Sequence, residues 1–289
     1  MIESFYWHDD TLEESDDIQR IRAWRGGPGS LWVNLHAPSD EELEAILTDV
    51  FDFHPLCVED CRHASKYPKV DVIEGRAFAV MLSPKTTVPT RGEFFMRELD
   101  LFLTPNAVVS VHPEPLQAVG RLRDQLSKTR GAPLSQGPDA VFHALVDVIA
   151  DRYLLACQAI EDRSEVLEHE AAATRPEVLE ELLDLKTSTL EMHQIVKQTR
   201  GSLRRITGRA GELIDESRQV AWSDLDDHLG RALDLLRVAG DSLRNGRDHY
   251  FAAVQVRTNT LLQLLAALVL VGLLLGLVDL LRGFGVAGP

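Results

Sequence analysis

The stretch that most constrains this chain is its last long segment. From Arg218 to Arg282 there is no proline, and the glycines stand singly. Its first two-thirds is amphipathic: Leu225, Leu229, Leu233, Leu236, Gly240 and Leu243 recur at the three- and four-residue steps of one helical face. The last third, Leu261 to Val278, is apolar on every face, with Gln263 as its one polar side chain. About eighteen residues at a 1.5 Å rise give roughly 27 Å, close to the hydrocarbon thickness of a bilayer. The pattern predicts one continuous helix that begins in water and ends in lipid. A buried helix of a soluble domain is the alternative, but such a helix seldom needs so long an all-round apolar surface.

The rest of the chain is expected on the cytoplasmic side. Arg244, Arg247 and Arg257 precede the span and only Arg282 follows it, which the positive-inside rule reads as a cytoplasmic N-terminal part. The N-terminus has neither the basic start nor the apolar core of a signal peptide. Three cysteines, Cys57, Cys61 and Cys157, form no spaced framework, which fits a reducing compartment. The net charge of −15, from 45 acidic and 30 basic residues, disfavours a nucleic-acid partner. It suits a protein that handles cations, although an acidic balance also serves solubility.

Residues 1–135 read as an α/β head. A helix is predicted over Ser15–Trp24 and a strand over Ser30–His36. Ser39-Asp-Glu-Glu42 is a capping-box start for a helix to about Val50, and His54-Pro55 opens a short helix through Cys61. Two strand pairs follow: Lys69–Ile73 with Arg76–Leu82 about a Glu74-Gly75 turn, then Arg97–Leu103 with Ala107–His112. A helix spans Leu116–Lys128, and the Gly/Pro-rich stretch from Arg130 to Pro138 marks a boundary. Residues 139–257 read as long stalk helices, with Pro176 at the first position of one of them. Residues 258–282 are the transmembrane helix and 283–289 a short tail. The fold class is therefore α+β. Nucleophile-elbow, P-loop and metalloprotease motifs are all missing from the sequence, and the reading is of a non-enzymatic protein.

Four stretches carry a resemblance when taken in order. They are His54-Pro-Leu-Cys-Val-Glu-Asp60 with Lys66-Tyr-Pro-Lys-Val-Asp71; Leu99 through His112; Val146-Asp-Val-Ile-Ala-Asp-Arg-Tyr153 with Ile160-Glu-Asp162; and Arg257-Thr-Asn259 at the start of the span. Together they resemble the CorA-type divalent cation transporters, the ZntB-like branch included. The resemblance implies a homopentamer shaped as a funnel, an α/β head, long stalk helices, and a pore lined by the last helix. It implies transport of Mg²⁺ or a related divalent ion (Co²⁺, Ni²⁺, Zn²⁺), with the cation also acting as regulator.

The same resemblance names site residues. Glu59 and Asp60 match acidic positions of a metal site between subunits, Asp224 matches its partner on the stalk, and Asp147 joins them. Carboxylates suit Mg²⁺, a hard ion held largely through its waters. Asp248, eleven residues before Asn259 on the same helix face, would form an inner acidic ring. Asn259 would offer amide oxygens at the constriction, and Leu262 with Leu265, Ala266 and Val269 would form an apolar gate. As plain residues, the carboxylates also read as a solvated face, and Asn259 as an interfacial polar residue. The family's Gly-Met-Asn signature would fall at Gly283-Phe284-Gly285, where the glycine is present and the amide is not. No second span follows in the sequence, which keeps open a second reading: a non-conducting, membrane-anchored metal sensor or scaffold. His54, Cys57, Cys61 and His63 lie close enough for a zinc site, but read more simply as small core residues and caps.

Overall fold

The computed structural model describes residues 1–89, 93–129, 131–208 and 213–285, with side chains as far as residue 279. The head is built on a seven-stranded mixed sheet. Its strands are β1 (Ile2–His8), β2 (Thr11–Ser15), β3 (Ser30–His36), β4 (Lys69–Ile73), β5 (Arg76–Pro84), β6 (Met96–Leu103) and β7 (Ala107–His112), in the order β2-β1-β3-β7-β6-β5-β4. Only β3 and β7 run parallel; every other neighbouring pair is antiparallel. Around the sheet lie α1 (Ile18–Arg25), α2 (Asp40–Leu43), α3 (Pro55–Asp60), α4 (Gln117–Lys128), α5 (Pro138–Glu170), α6 (Pro176–Thr207) and α7 (Gln219–Gly285).

Alternation along the strands separates two cores. Leu31, Val33, Phe78, Val80, Phe102 and Val109 face one side, where Ile21 of α1, Ile46, Leu47 and Val50 after α2, and Cys57 and Val58 of α3 cover them. Trp32, Ala79, Met81, Leu99, Leu101 and Val108 face the other side and meet α4, α5, α6 and α7. The expected capping box is present in full: Ser39 accepts from the Glu42 backbone, and the Glu42 side chain accepts from Ser39. That helix does not stay α-helical, because from Glu44 to Val50 it widens into a π-helical segment.

The sequence reading places no strand before Ser30, whereas β1 and β2 form a hairpin there. Its two-residue turn, Asp9-Asp10, holds both residues at positive φ (49° and 57°), a conformation that aspartate tolerates better than most residues. Ser15 belongs to β2, opposite Ser4, so α1 starts later than expected, capped by Asp17, whose carboxylate accepts from the Gln19 backbone at 2.9 Å.

The last helix runs 67 residues without a break. Trp222, Leu225, Leu229, Ala232, Leu236, Ala239, Leu243 and Tyr250 are buried, spaced to keep one face on α5 and α6. Each large apolar side chain buried this way contributes about 1.5–3 kcal/mol. Past Val254 that apolar contact ends. None of the 18-residue apolar window is buried, so the span leaves the head as a bare rod.

Candidate cation pathway and metal site

The helical repeat of α5 and α7 brings two of the expected carboxylates into one patch. His143, Asp147 and Asp151 follow each other at four-residue steps on α5 and face Asp224 and His228, four residues apart on α7. His228 Nε2 lies 3.5 Å from Asp224 Oδ2. His143 Nε2 lies 3.1 Å from the Ala221 carbonyl, and its ring meets Trp222 edge-on. Burial raises the Asp147 carboxyl above its ordinary range; the nearby His143 and His228 pull it down, and the charges of Asp151 and Asp224 push it up. His228 Nδ1 is buried without a partner. Sequence reasoning missed His143, Asp151 and His228. The signal available for them was the four-residue spacing around Asp147 and Asp224.

Glu59 and Asp60 sit elsewhere, at the end of α3. Glu59 is exposed, while Asp60 is half-exposed and forms an ion pair with Lys69 at the start of β4. Neither shares a hydrogen bond or ion pair with Asp147 or Asp224 within the chain. Among the described residues, no three His, Cys, Asp or Glu side chains converge as a metal site would require. Of the cysteines near Asp60, Cys57 is a core residue and Cys61 is part-buried against that core. Cys57 is buried and its thiol is pushed up to about 11, chiefly by burial; burial also pushes Cys61 up strongly. His54 caps α3 through the Leu56 backbone at 3.3 Å, and His63 Nδ1 lies 3.0 Å from the Glu59 carbonyl.

Farther along α7, Asp248 is exposed and held by its neighbour Arg247 at 2.8 Å. Eleven residues turn an α-helix by about three full turns, which puts Asn259 on the same face, and Leu262 lies within about 60° of that line. Asn259 and Leu262 are both exposed, Leu262 by 58 %. Gly283 falls within α7 but beyond the last described side chain.

A mixed-sheet head, a long helical stalk and an uncovered apolar rod with Asn259 at its entrance form an arrangement also found among known proteins. The family model of the CorA-like Mg²⁺ transporter proteins matches residues 28–274. The chain belongs to this family. Among CorA relatives, the chain is 28 % identical over 236 residues to a putative metal ion transporter, YfjQ, of Bacillus subtilis, covering 81 % of this chain and 72 % of that one. It is 23 % identical over 254 residues to the cobalt/magnesium transport protein CorA of Thermotoga maritima, covering 87 % and 72 %. The complete structure of the CorA magnesium transporter from Methanocaldococcus jannaschii superposes with a TM-score of 0.75 at 17 % identity, over 92 % of this chain and 81 % of that one, a likeness of fold. The α+β head with a long C-terminal helix is thus the CorA architecture, and the family's activity is divalent cation transport.

Proposed function

We propose that the chain assembles as a homopentamer around an axis lined by α7. It then carries Mg²⁺, or a related divalent cation such as Co²⁺, Ni²⁺ or Zn²⁺, across the cell membrane, with the α/β head in the cytoplasm. The observation that carries this reading is the line of Asp248, Asn259 and Leu262 along one exposed face of α7, which continues from the head-packed part of the helix into an apolar span that the chain's own fold leaves uncovered. A helix with exposed carboxylate and amide groups on one face is satisfied when that face lines water and the other faces meet lipid or other helices.

The cation is the cargo. Copies of Asp248 around the axis would raise its local concentration, and copies of Asn259 would hold its waters at the constriction. The ring of Leu262, with Leu265 behind it, would close the path by excluding water when the helices draw together. Gly283 would stand at the far mouth.

The metal that regulates the pore would sit between subunits. One chain offers Glu59 and Asp60, its neighbour Asp147 and Asp224, and these oxygen donors suit a hydrated hard cation. Without metal the facing carboxylates repel one another, so metal would hold neighbouring heads together and its loss would let them part. Support for a site shared between copies comes from the single chain, where the two groups of acids lie on separate elements.

Growth of magnesium-starved cells that lack their own uptake system tests the transport. Restoration by this chain is expected, and no restoration by a folded, membrane-inserted chain would sink the reading. Limited proteolysis tests the regulatory site. Mg²⁺ should protect the head of the parent chain, and the Asp60→Ala/Asp224→Ala double variant should lose that protection.

A further inference from the structure

Glu98 and Asp100 are two residues apart on β6 and therefore point to the same side of the sheet, the side of Phe102 and α3. Asp100 is only 3 % exposed, and its Oδ1 has no hydrogen-bond partner. Glu98 is part-buried, and its Oε2 accepts from the Ser65 backbone at 2.7 Å. Both line a cavity of about 540 Å³ between the end of α3 and the sheet, together with Asp40, Cys61, Arg62, Arg97 and Glu114.

Each nearby cation is engaged with another carboxylate. Arg62 holds Glu44 at 2.7 Å, Arg97 holds Glu114 at 3.0 Å, and Lys69 holds Asp60. The Cys61 thiol, itself kept protonated by burial, offers Asp100 only a weak donor. With Lys69, already paired to Asp60, as the cation acting on both, a buried and a part-buried carboxylate on one strand face resist both being charged. One proton between them removes the repulsion, and an O–H from Asp100 to Glu98 gives the buried carboxyl its missing partner.

We propose that Glu98 and Asp100 share a single proton in the folded chain, and that this proton makes the segment from Arg62 to Lys69 responsive to pH. Burial and the adjacent Glu98 charge hold Asp100 well above the ordinary carboxylate range, and burial also raises Glu98, in agreement with the geometry. The cavity gives solvent a route to the pair. The segment is the natural responder: it hangs on Glu98 through Ser65, it begins just after Glu59 and Asp60, and it ends at Lys69, which holds Asp60. Losing the proton puts a second charge beside Glu98 and weakens that anchor. The link to metal regulation rests on the proposed role of Asp60; the shared proton does not.

The test uses the full chain in detergent without divalent ions, so that a failed metal site and a failed proton site give different results. Infrared difference spectra taken as pH is raised should show the C=O stretch of a protonated carboxyl persisting above the ordinary carboxylate range and then disappearing. That band should be missing from Asp100→Asn. Hydrogen exchange of the Arg62–Lys69 amides, corrected for intrinsic rate, should lose protection by up to about tenfold per pH unit as pH rises from the ordinary carboxylate pKa of about 4 to the folded transition, and level off above it, as one linked proton requires. In Asp100→Asn the protection should stay flat. Glu98→Gln serves as the second variant if Asn at 100 fails to fold. No carboxyl band above the ordinary carboxylate range, or the same pH slope in a folded variant, would overturn the proposal.

Discussion

Arg218 Nε meets Asp139 Oδ2 at 2.6 Å, and both side chains are largely buried, 14 % and 7 % exposed. The pair joins the start of α7 to the start of α5. The same carboxylate oxygen accepts from the Asp215 backbone at 3.0 Å, and Arg218 also reaches Gln136. Removing one partner of a buried pair strands the other charge, at a cost of about 3–5 kcal/mol. Asp139→Ala should lower denaturant stability by that amount; a loss under about 1 kcal/mol, the level of an exposed pair, would refute the anchoring role.

Acid should weaken a second tie. Asp226 on α7 accepts from Arg200 at 2.7 Å and from Arg204 at 2.7 Å, both on α6. These bonds, Arg200's first, hold its carboxyl well below the ordinary range. A depressed acid contributes stability that is complete above its unfolded pKa, about 4, and is lost as pH falls through the folded value. Asp226→Asn should therefore be less stable than the parent at neutral pH and show a shallower decline below about pH 4. Parallel acid titrations of thermal stability would contradict this.

Helix contact is tight at Gly246. A Cβ built there falls 3.1 Å from the Glu168 Cα and 3.1 Å from Leu182 Cδ2, and the Glu168 backbone cannot give way as a flexible side chain would. Gly246→Val should cost about 1–3 kcal/mol by overpacking. Gly201→Ala, where a Cβ meets nothing within 4 Å, should instead gain up to about 1 kcal/mol from helix propensity. Chemical denaturation of the two variants checks both signs.

The apolar rod should be dispensable for folding the head. Tyr250 is the last buried residue of α7 among those described, and Val254 is the last packed against the core. A chain ending at Arg257 should stay in solution without detergent and keep the helix content expected for its length. Collapse of that helicity would mean that the span supports the head.

Much of this architecture could be read locally. The unbroken apolar run, the Ser39–Glu42 capping box, the Glu74-Gly75 turn and Pro176 at a helix start all depend on neighbours in sequence, and the structure has each of them. The β1–β2 hairpin was missed because its turn is Asp9-Asp10 rather than a glycine-bearing pair. The site was less legible. Asp147 and Asp224 are candidates only through family resemblance, and their nearness to His143 and His228 depends on how α5 lies on α7. Glu98 and Asp100 carry no expectation from the sequence, because what surrounds them is the chain that follows α3, far away in sequence.

The most direct test of the central claim is divalent-ion entry into liposomes holding the purified, uniformly sized oligomer, read by a Mg²⁺-sensitive dye inside and repeated with Co²⁺ and Zn²⁺. The account predicts entry down the concentration gradient, reduced at least about tenfold by Asn259→Ala and, at low cation concentration, by Asp248→Ala, as loss of a group acting in every copy of a ring should do. A well-folded oligomer that admits no divalent ion, or one whose flux ignores both substitutions, would contradict it.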